Sequence, residues 1–177
     1  AGGVGRAAHI WPQFTTDKWV LDMVQGLTIE LAALPTQETI PDSVSSNPGI
    51  NELLSEQIEL MLRQDIIEPA MHSPRSFVSH MFLRPKSDGS HRPILNLSGL
   101  NEFTIYRHFK MDHLSSVMRM VPQNSFMASI DITSAYFSLP VKTRDRDLLQ
   151  LQFQGKRYRY ICLPNGYSPG PRVFTKS

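Results

Sequence analysis

Asp131 closes the apolar stretch SFMASID and is followed, within the run ITSAYFSLPV, by the aromatic pair Tyr136 and Phe137. A carboxylate at the end of a strand is well placed to hold Mg2+, because hard divalent cations take oxygen ligands and complete their shell with backbone carbonyl and phosphate oxygens. The carbonyl of Ile132 is next in line. The same residues admit a plainer role, in which Asp131 only caps the turn after the strand. Upstream, the segment RPKSDGSHRP places Arg84, Lys86 and Arg92 close together in the chain. Such a turn is either an ordinary solvated loop or a cover for a triphosphate, where a compact ammonium and forked guanidiniums neutralise charge that grows during phosphoryl transfer.

Two more segments carry usable chemistry. CLPNGYSPGPRVF is a loop of Gly and Pro turns leading to a helix expected to start near Pro169 or Pro171; it can shape a pocket floor or simply connect a strand to a helix. In KRYRYI, Tyr158 and Tyr160 interleave with Arg157 and Arg159, a pattern that pairs base stacking with phosphate contacts and is equally that of a half-buried strand. The six histidines are scattered without metal-ligand spacing, which argues against a zinc site. Cys162 is the only cysteine, so there is no internal disulfide framework. Neither a G-x-S-x-G elbow nor a G-x-x-x-x-G-K-[ST] loop occurs, leaving hydrolase and nucleotide-switch readings without a motif.

These groups need elements to hold them. TTDKWVLDMVQG predicts a short helix with Thr16 or Asp17 as its cap and Gly26 as its stop. Residues 35–48, with three prolines and no periodicity, read as an extended linker. Ile50, Leu53, Leu54, Ile58, Met61 and Leu62 recur at helical steps and predict an amphipathic helix ending near Gln64. SFVSHMFLRP and HRPILNL, joined by KSDGS, predict a β-hairpin with a basic tip. Asp112 is a suitable cap for a helix over HLSSVMRMV. A strand over SFMASID, a turn or helical segment over ITSAYFSLPV, and a hairpin turning at Gln154–Gly155 complete the pattern. The fold class expected is α+β, with antiparallel strands and packed helices.

Composition adds bounds. Hydrophobic residues make up 41% and charged residues 19% of the 177, as in a globular domain, and no apolar run approaches the roughly 18 residues of a membrane span. No membrane partner and an intracellular location, cytoplasmic or nuclear, are expected. Net charge is only +2, but it is unevenly spread: residues 1–70 carry three basic and ten acidic side chains, residues 71–177 fifteen and six. A basic segment of that size suits a polyanion such as nucleic acid or a nucleoside triphosphate, and also suits a solvated face.

In order and spacing, these segments resemble the fingers and first palm motifs of reverse transcriptases. The resemblance begins with LLSEQIELMLRQDIIEPAMHSPRSFVSHMFLRPKSDGSHRPILNLSGLNEFT and continues through IDITSAYFSLPV and LPNGYSPGPRVF. Upstream, WPQFTTDKWVLDMVQGLTIEL, with YRHFKMDHLSSVM and GPRVFTK, looks specifically like DIRS-type retrotransposon elements. This implies a partial right-hand polymerase: an N-terminal extension and linker over 1–48, a fingers-like segment with the hairpin over 49–125, and an incomplete palm-like segment over 126–177.

The resemblance further implies RNA-directed DNA synthesis by nucleotidyl transfer with two Mg2+ ions, on an RNA/DNA primer–template with deoxynucleoside triphosphates, within a polyprotein that also carries a ribonuclease H. Asp131 becomes the first metal-binding and catalytic carboxylate, and Ile132 lends its backbone carbonyl. Lys86 and Arg92 contact the triphosphate, Ser134 and Ala135 meet it through backbone N–H groups, and Tyr136 is the aromatic gate that crowds a ribose 2′-hydroxyl. Asn165 and Gly166 line the nucleotide pocket, while Arg84, Arg157, Tyr158 and Arg159 contact nucleic acid. Two departures stand out. Asn165 and Tyr167 occupy positions where mobile elements commonly have Phe and Leu, and no aromatic-x-D-D signature occurs within the 177 residues. The segment by itself is therefore expected not to polymerise DNA. A non-catalytic nucleic-acid-binding fragment and a decayed element remnant are the alternatives.

Overall fold

The computed structural model describes every residue except Ala1, Phe109, Met111, Asp112, Ile130, Thr133 and Ser177, and the side chains of Leu114 and Lys176 are likewise left aside. Helix α1 spans Gly3–Arg6 and α2 spans Lys18–Gln25, the latter opened by the Asp17 carboxylate, which accepts the Trp19 N–H at 2.8 Å. That bond satisfies a first-turn donor with no partner inside the helix. Helix α3, Pro48–Arg63, begins with Pro48 just inside it and the Asn47 side chain accepting from Gly49 N–H. Its stripe of Leu54, Ile58 and Met61 is buried, and trimming Leu54 to Ala would cost about 2–5 kcal/mol.

Strand β1, Ile67–Pro69, follows α3; strands β2, Met81–Pro85, and β3, His91–Leu95, form the expected basic-tipped hairpin in antiparallel register. Short helices α4, Ser98–Asn101, and α5, Leu114–Met120, come next; the expected cap Asp112 lies outside the described residues. Two 3-10 turns, Ala135–Ser138 and Thr143–Leu149, lead to strands β4, Gln150–Phe153, and β5, Lys156–Tyr160, and helix α6, Gly170–Lys176, closes the order. The β4–β5 turn falls at Gln154–Gly155 as expected, both residues at positive φ (50° and 73°), the geometry whose twist matches paired strands. The Asp42 carboxylate accepts from both turn N–H groups.

The strands make two sheets, β1-β5-β4 and β2-β3. Strand β1 was not expected: its three residues end at a proline and give no alternation to read. The expected strand over SFMASID is corrected in the other direction. Residues 125–129 and 131 adopt no strand conformation, and Phe126 and Met127 are exposed. A strand needs a neighbour for its N–H and C=O groups, and none pairs with this stretch among the described residues.

Residues 35–46 form no helix or strand, as their prolines dictate, yet they are docked along the sheets. The Gln37 side chain pairs with the Val78 backbone through both its amide groups, Ser43 N–H donates to Gln152 C=O, and Ser43 Oγ accepts the buried Met81 N–H. This strap covers edges that would otherwise expose unpaired backbone. One apolar cluster runs through the protein, from Val20, Met23 and Val24 through Leu54 and Met81 to Leu139, Leu151, Cys162 and Val173. The buried Asp145 carboxylate ties Ile29 N–H at 3.2 Å and Arg75 Nη2 at 3.2 Å, fastening the N-terminal region to the rest. Among the described residues no helix is long and apolar enough to cross a membrane.

Candidate functional site

The basic hairpin gathers Arg84, Lys86 and Arg92, with Asp88 as the carboxylate at its tip. Arg84 and Arg92 are direct cross-strand partners, an arrangement of like charges that costs a sheet stability. None of the ion pairs among the described residues includes Arg84, Lys86 or Arg92. The Arg84 guanidinium lies 5.6 Å from the centre of the Phe82 ring, which stacks in turn on His80. At the tip, Asp88 accepts from the Ser90 hydroxyl and N–H; these bonds, aided by the charge of Lys86, hold its carboxyl below the usual range.

A cavity of about 410 Å³ lies beside this hairpin, within the size range of small-molecule sites. Lys86, His91 and Arg92 form its basic wall, Gln57, Leu60 and Gln64 at α3 face it, and Ser134, Ala135, Tyr136, Phe137 and Asn165 close it. The fold thus gathers six of the sequence-predicted nucleotide residues, Lys86, Arg92, Ser134, Ala135, Tyr136 and Asn165, at one place. Gly166 follows Asn165 but is not part of the lining. Asp131 and Ile132 are exposed and also lie outside it, with Ile130 and Thr133 outside the described residues.

The wall at 134–137 is firmly shaped. Ser134 takes a left-handed conformation (φ 53°), its C=O accepts the Phe137 N–H at 2.9 Å, and Ser138 Oγ donates to Ala135 C=O. The Tyr136 ring packs against Phe174 at 5.5 Å between centroids. A Cβ on Gly170 would approach that ring to 3.3 Å, so a side chain there would require the ring to give by a few tenths of an ångström. The Gly2 N–H donates to Phe137 C=O at 2.8 Å, which ties the N-terminal region to this wall.

The tyrosine-arginine strand is half-buried and held by side-chain bonds. Arg159 Nε donates to Glu68 at 2.7 Å and its Nη1 to Asp147 at 2.8 Å, while Arg146 reaches the same Glu68. With two carboxylates on one guanidinium, Arg159 ties β5 to Glu68 and Asp147. Burial alone would raise the Asp147 carboxyl, but hydrogen bonds from Arg159, Ser73 and Gln150 outweigh it and hold the group below the usual carboxylate range. Arg157 bonds Gln152 and His72, and Tyr158 packs against the core. Tyr160 is wholly buried and out of reach of a base; burial pushes its phenol up.

Asn101 stands in the LNEFT close of the segment that carries the resemblance, but nothing in the sequence assigns it a role. Its carboxamide bridges the loop after β5, Nδ2 donating to Gly166 C=O at 2.9 Å and Oδ1 accepting Ser168 N–H at 3.0 Å. Gln57 and His91 were also missed; a polar residue on a helix flank or at a hairpin tip gives no signal of its own. Among the described residues no group of three His, Cys, Asp or Glu side chains gathers to hold a metal ion. Asp131 and the Ile132 carbonyl are two oxygen donors where Mg2+ takes six, so these residues alone do not fit the expected pair of ions.

Comparison with solved structures places this geometry. The foamy viral protease-reverse transcriptase in complex with double-stranded DNA superposes with a TM-score of 0.65 at 16% identity, over 85% of this chain and 31% of that one. The chain folds like part of a protease-reverse transcriptase. The native prototype foamy virus protease-reverse transcriptase gives 0.62 at 18% identity, over 97% of this chain and 24% of the other. In sequence, the chain is 19% identical to the retrovirus-related Pol polyprotein from transposon gypsy of Drosophila melanogaster over 167 residues. It is 21% identical to the Pro-Pol polyprotein of Simian foamy virus type 1 and 23% to the Gag-Pol polyprotein of Walleye dermal sarcoma virus. These alignments cover 93%, 78% and 96% of this chain but only 16%, 12% and 10% of the relatives. No family model matches.

Proposed function

We propose that the chain is the nucleotide-gripping part of an RNA-directed DNA polymerase, comprising fingers and the first portion of a palm, and that it derives from a DIRS-type retrotransposon. The observation that carries this reading is the convergence of Lys86, Arg92, Ser134, Ala135, Tyr136 and Asn165 on one cavity. They come from three separate stretches of chain, and the unpaired cations of the hairpin suit a triphosphate as no solvated turn requires. Lys86 and Arg92 hold the phosphates, the 134–135 backbone orients them, and the Tyr136 ring stands against the sugar, where a planar side chain disfavours a 2′-hydroxyl. Asn165 borders the base. The family relatives are Pol polyproteins and the solved neighbours include a complex with double-stranded DNA, which supports a primer–template as the second partner.

In this reading Asp131 would supply one ligand to a Mg2+ site that needs carboxylates beyond Asp131 and the Ile132 carbonyl. The reaction in this reading is nucleotidyl transfer, in which a primer 3′-hydroxyl attacks the α-phosphate and pyrophosphate leaves, and the segment alone binds nucleotide without extending a primer. Titration calorimetry with a deoxynucleoside triphosphate tests this. Saturable binding by the chain, weakened in Lys86→Ala and Arg92→Ala, supports the assignment, and equal heats from wild type and both variants would refute it. Primer extension by the segment alone in Mg2+ would contradict the proposed division of the metal site.

A further inference from the structure

Asn101 sits at the end of α4 and is itself immobilised: its N–H donates to Leu97 C=O at 2.8 Å, and its C=O accepts both the Thr104 N–H and the Thr104 hydroxyl. From this fixed point the side chain spans to a loop far along the chain, giving one hydrogen bond to Gly166 C=O and taking one from Ser168 N–H. A carboxamide offers a donor and an acceptor on one rigid plane, so it can seize a backbone C=O and N–H two residues apart at once. The loop needs such a hold. Gly166 adopts φ +99°, and a Cβ there would come within 3.3 Å of Leu95 C=O, so the backbone is pressed against β3 in a conformation that L side chains rarely take. Between the two clamped residues Tyr167 is buried; just before them Asn165 is exposed at the cavity wall.

We propose that Asn101 is a positioning residue for the nucleoside half of the cavity: its carboxamide locks Gly166 and Ser168 so that Asn165 is presented to the base. The proposal rests on the nucleotide reading of that cavity. Because Asn101 touches neither Lys86 nor Arg92, it acts on the nucleoside and not on the phosphates. A ligand made only of phosphates is therefore indifferent to it.

The test compares a deoxynucleoside triphosphate with inorganic tripolyphosphate as ligands of the chain, in wild type, Asn101→Ala and Asn101→Asp. Loss of two ordinary hydrogen bonds lowers the population of the competent loop, so Asn101→Ala should weaken the nucleotide about tenfold while tripolyphosphate changes less than about twofold. Asn101→Asp keeps the acceptor for Ser168 N–H, loses the donor to Gly166, and should retain the fold while also weakening the nucleotide selectively. Equal weakening of both ligands, or of neither, in the two variants overturns the positioning role. Wild-type chain that binds tripolyphosphate and nucleotide equally well overturns it too. Failure of wild type to bind either ligand removes the nucleotide reading and the role that depends on it.

Discussion

Arg84 and Arg92 lie opposite each other across the β2–β3 hairpin, two guanidiniums in direct register with no carboxylate paired to either among the described residues. Replacing Arg84 with Glu converts a repulsive cross-strand pair into an attractive one, a change of about 0.2–1 kcal/mol that roughly offsets the lost contact with Phe82. The melting temperature should hold or rise, while affinity for tripolyphosphate falls several-fold and loses part of its salt dependence. A variant that melts several degrees lower with unchanged anion affinity would show that the pair serves packing alone.

In the proposed nucleotide reading Tyr136, which lines the cavity, faces the sugar. In Tyr136→Val the barrier to a 2′-hydroxyl disappears, so the ratio of deoxyribonucleotide to ribonucleotide affinity should move toward unity, read by competition titration. Retained discrimination would place the sugar elsewhere in the cavity. Loss of the ring contact with Phe174 should also lower stability by about 1–3 kcal/mol, visible in a denaturant midpoint.

The Asp147 network makes a signed prediction for pH. Its carboxyl is held below the usual range in the folded protein, so its contribution is fully present above the ordinary carboxylate pKa and is lost as pH falls through the lower folded value. Asp42 is shifted in the same direction: burial opposes, and bonds from Gly155, Gln152, Gln154 and Val44 prevail. Melting temperature should decline as pH drops below about 4, and Asp147→Asn should flatten that slope while costing about 1.5–3 kcal/mol at neutral pH. A wild-type profile flat to pH 2 would contradict the network.

Cys162 is fully buried, and burial pushes its thiol up to about 12. At pH 8 roughly one molecule in ten thousand then carries the reactive thiolate, so a thiol reagent should label the chain only as fast as it opens. Labelling that is rapid without denaturant and unchanged by it would mean the cluster around Cys162 is open in solution.

Helices α2 and α3 were legible because capping residues and apolar spacing are local signals: Asp17, Gly26 and the stripe through Leu54, Ile58 and Met61 all lie within the element they define. Both hairpins were legible from their turns. What failed was decided at a distance. The apolar 125–131 stretch has a strand's composition but no neighbour to pair with among the described residues, while Ile67–Pro69 becomes a strand only because β5 lies alongside. The ion pairs of Arg159 with Glu68 and Asp147 join residues far apart in the chain and have no local signal. At the cavity, the ordered motifs picked out six wall residues, whereas the Asn101 clamp, a side chain bonded to backbone far along the chain, leaves no pattern in composition or spacing.

The central claim is that the cavity between the basic hairpin and the 134–137 turn receives a nucleoside triphosphate. Amide-resolved NMR of the isotopically labelled chain, titrated with a deoxynucleoside triphosphate, tests it most directly. The amides of Lys86, Arg92, Ser134, Ala135 and Asn165 should shift together along one saturating curve. Shifts confined to other surfaces, with these five unmoved at saturation, would contradict it.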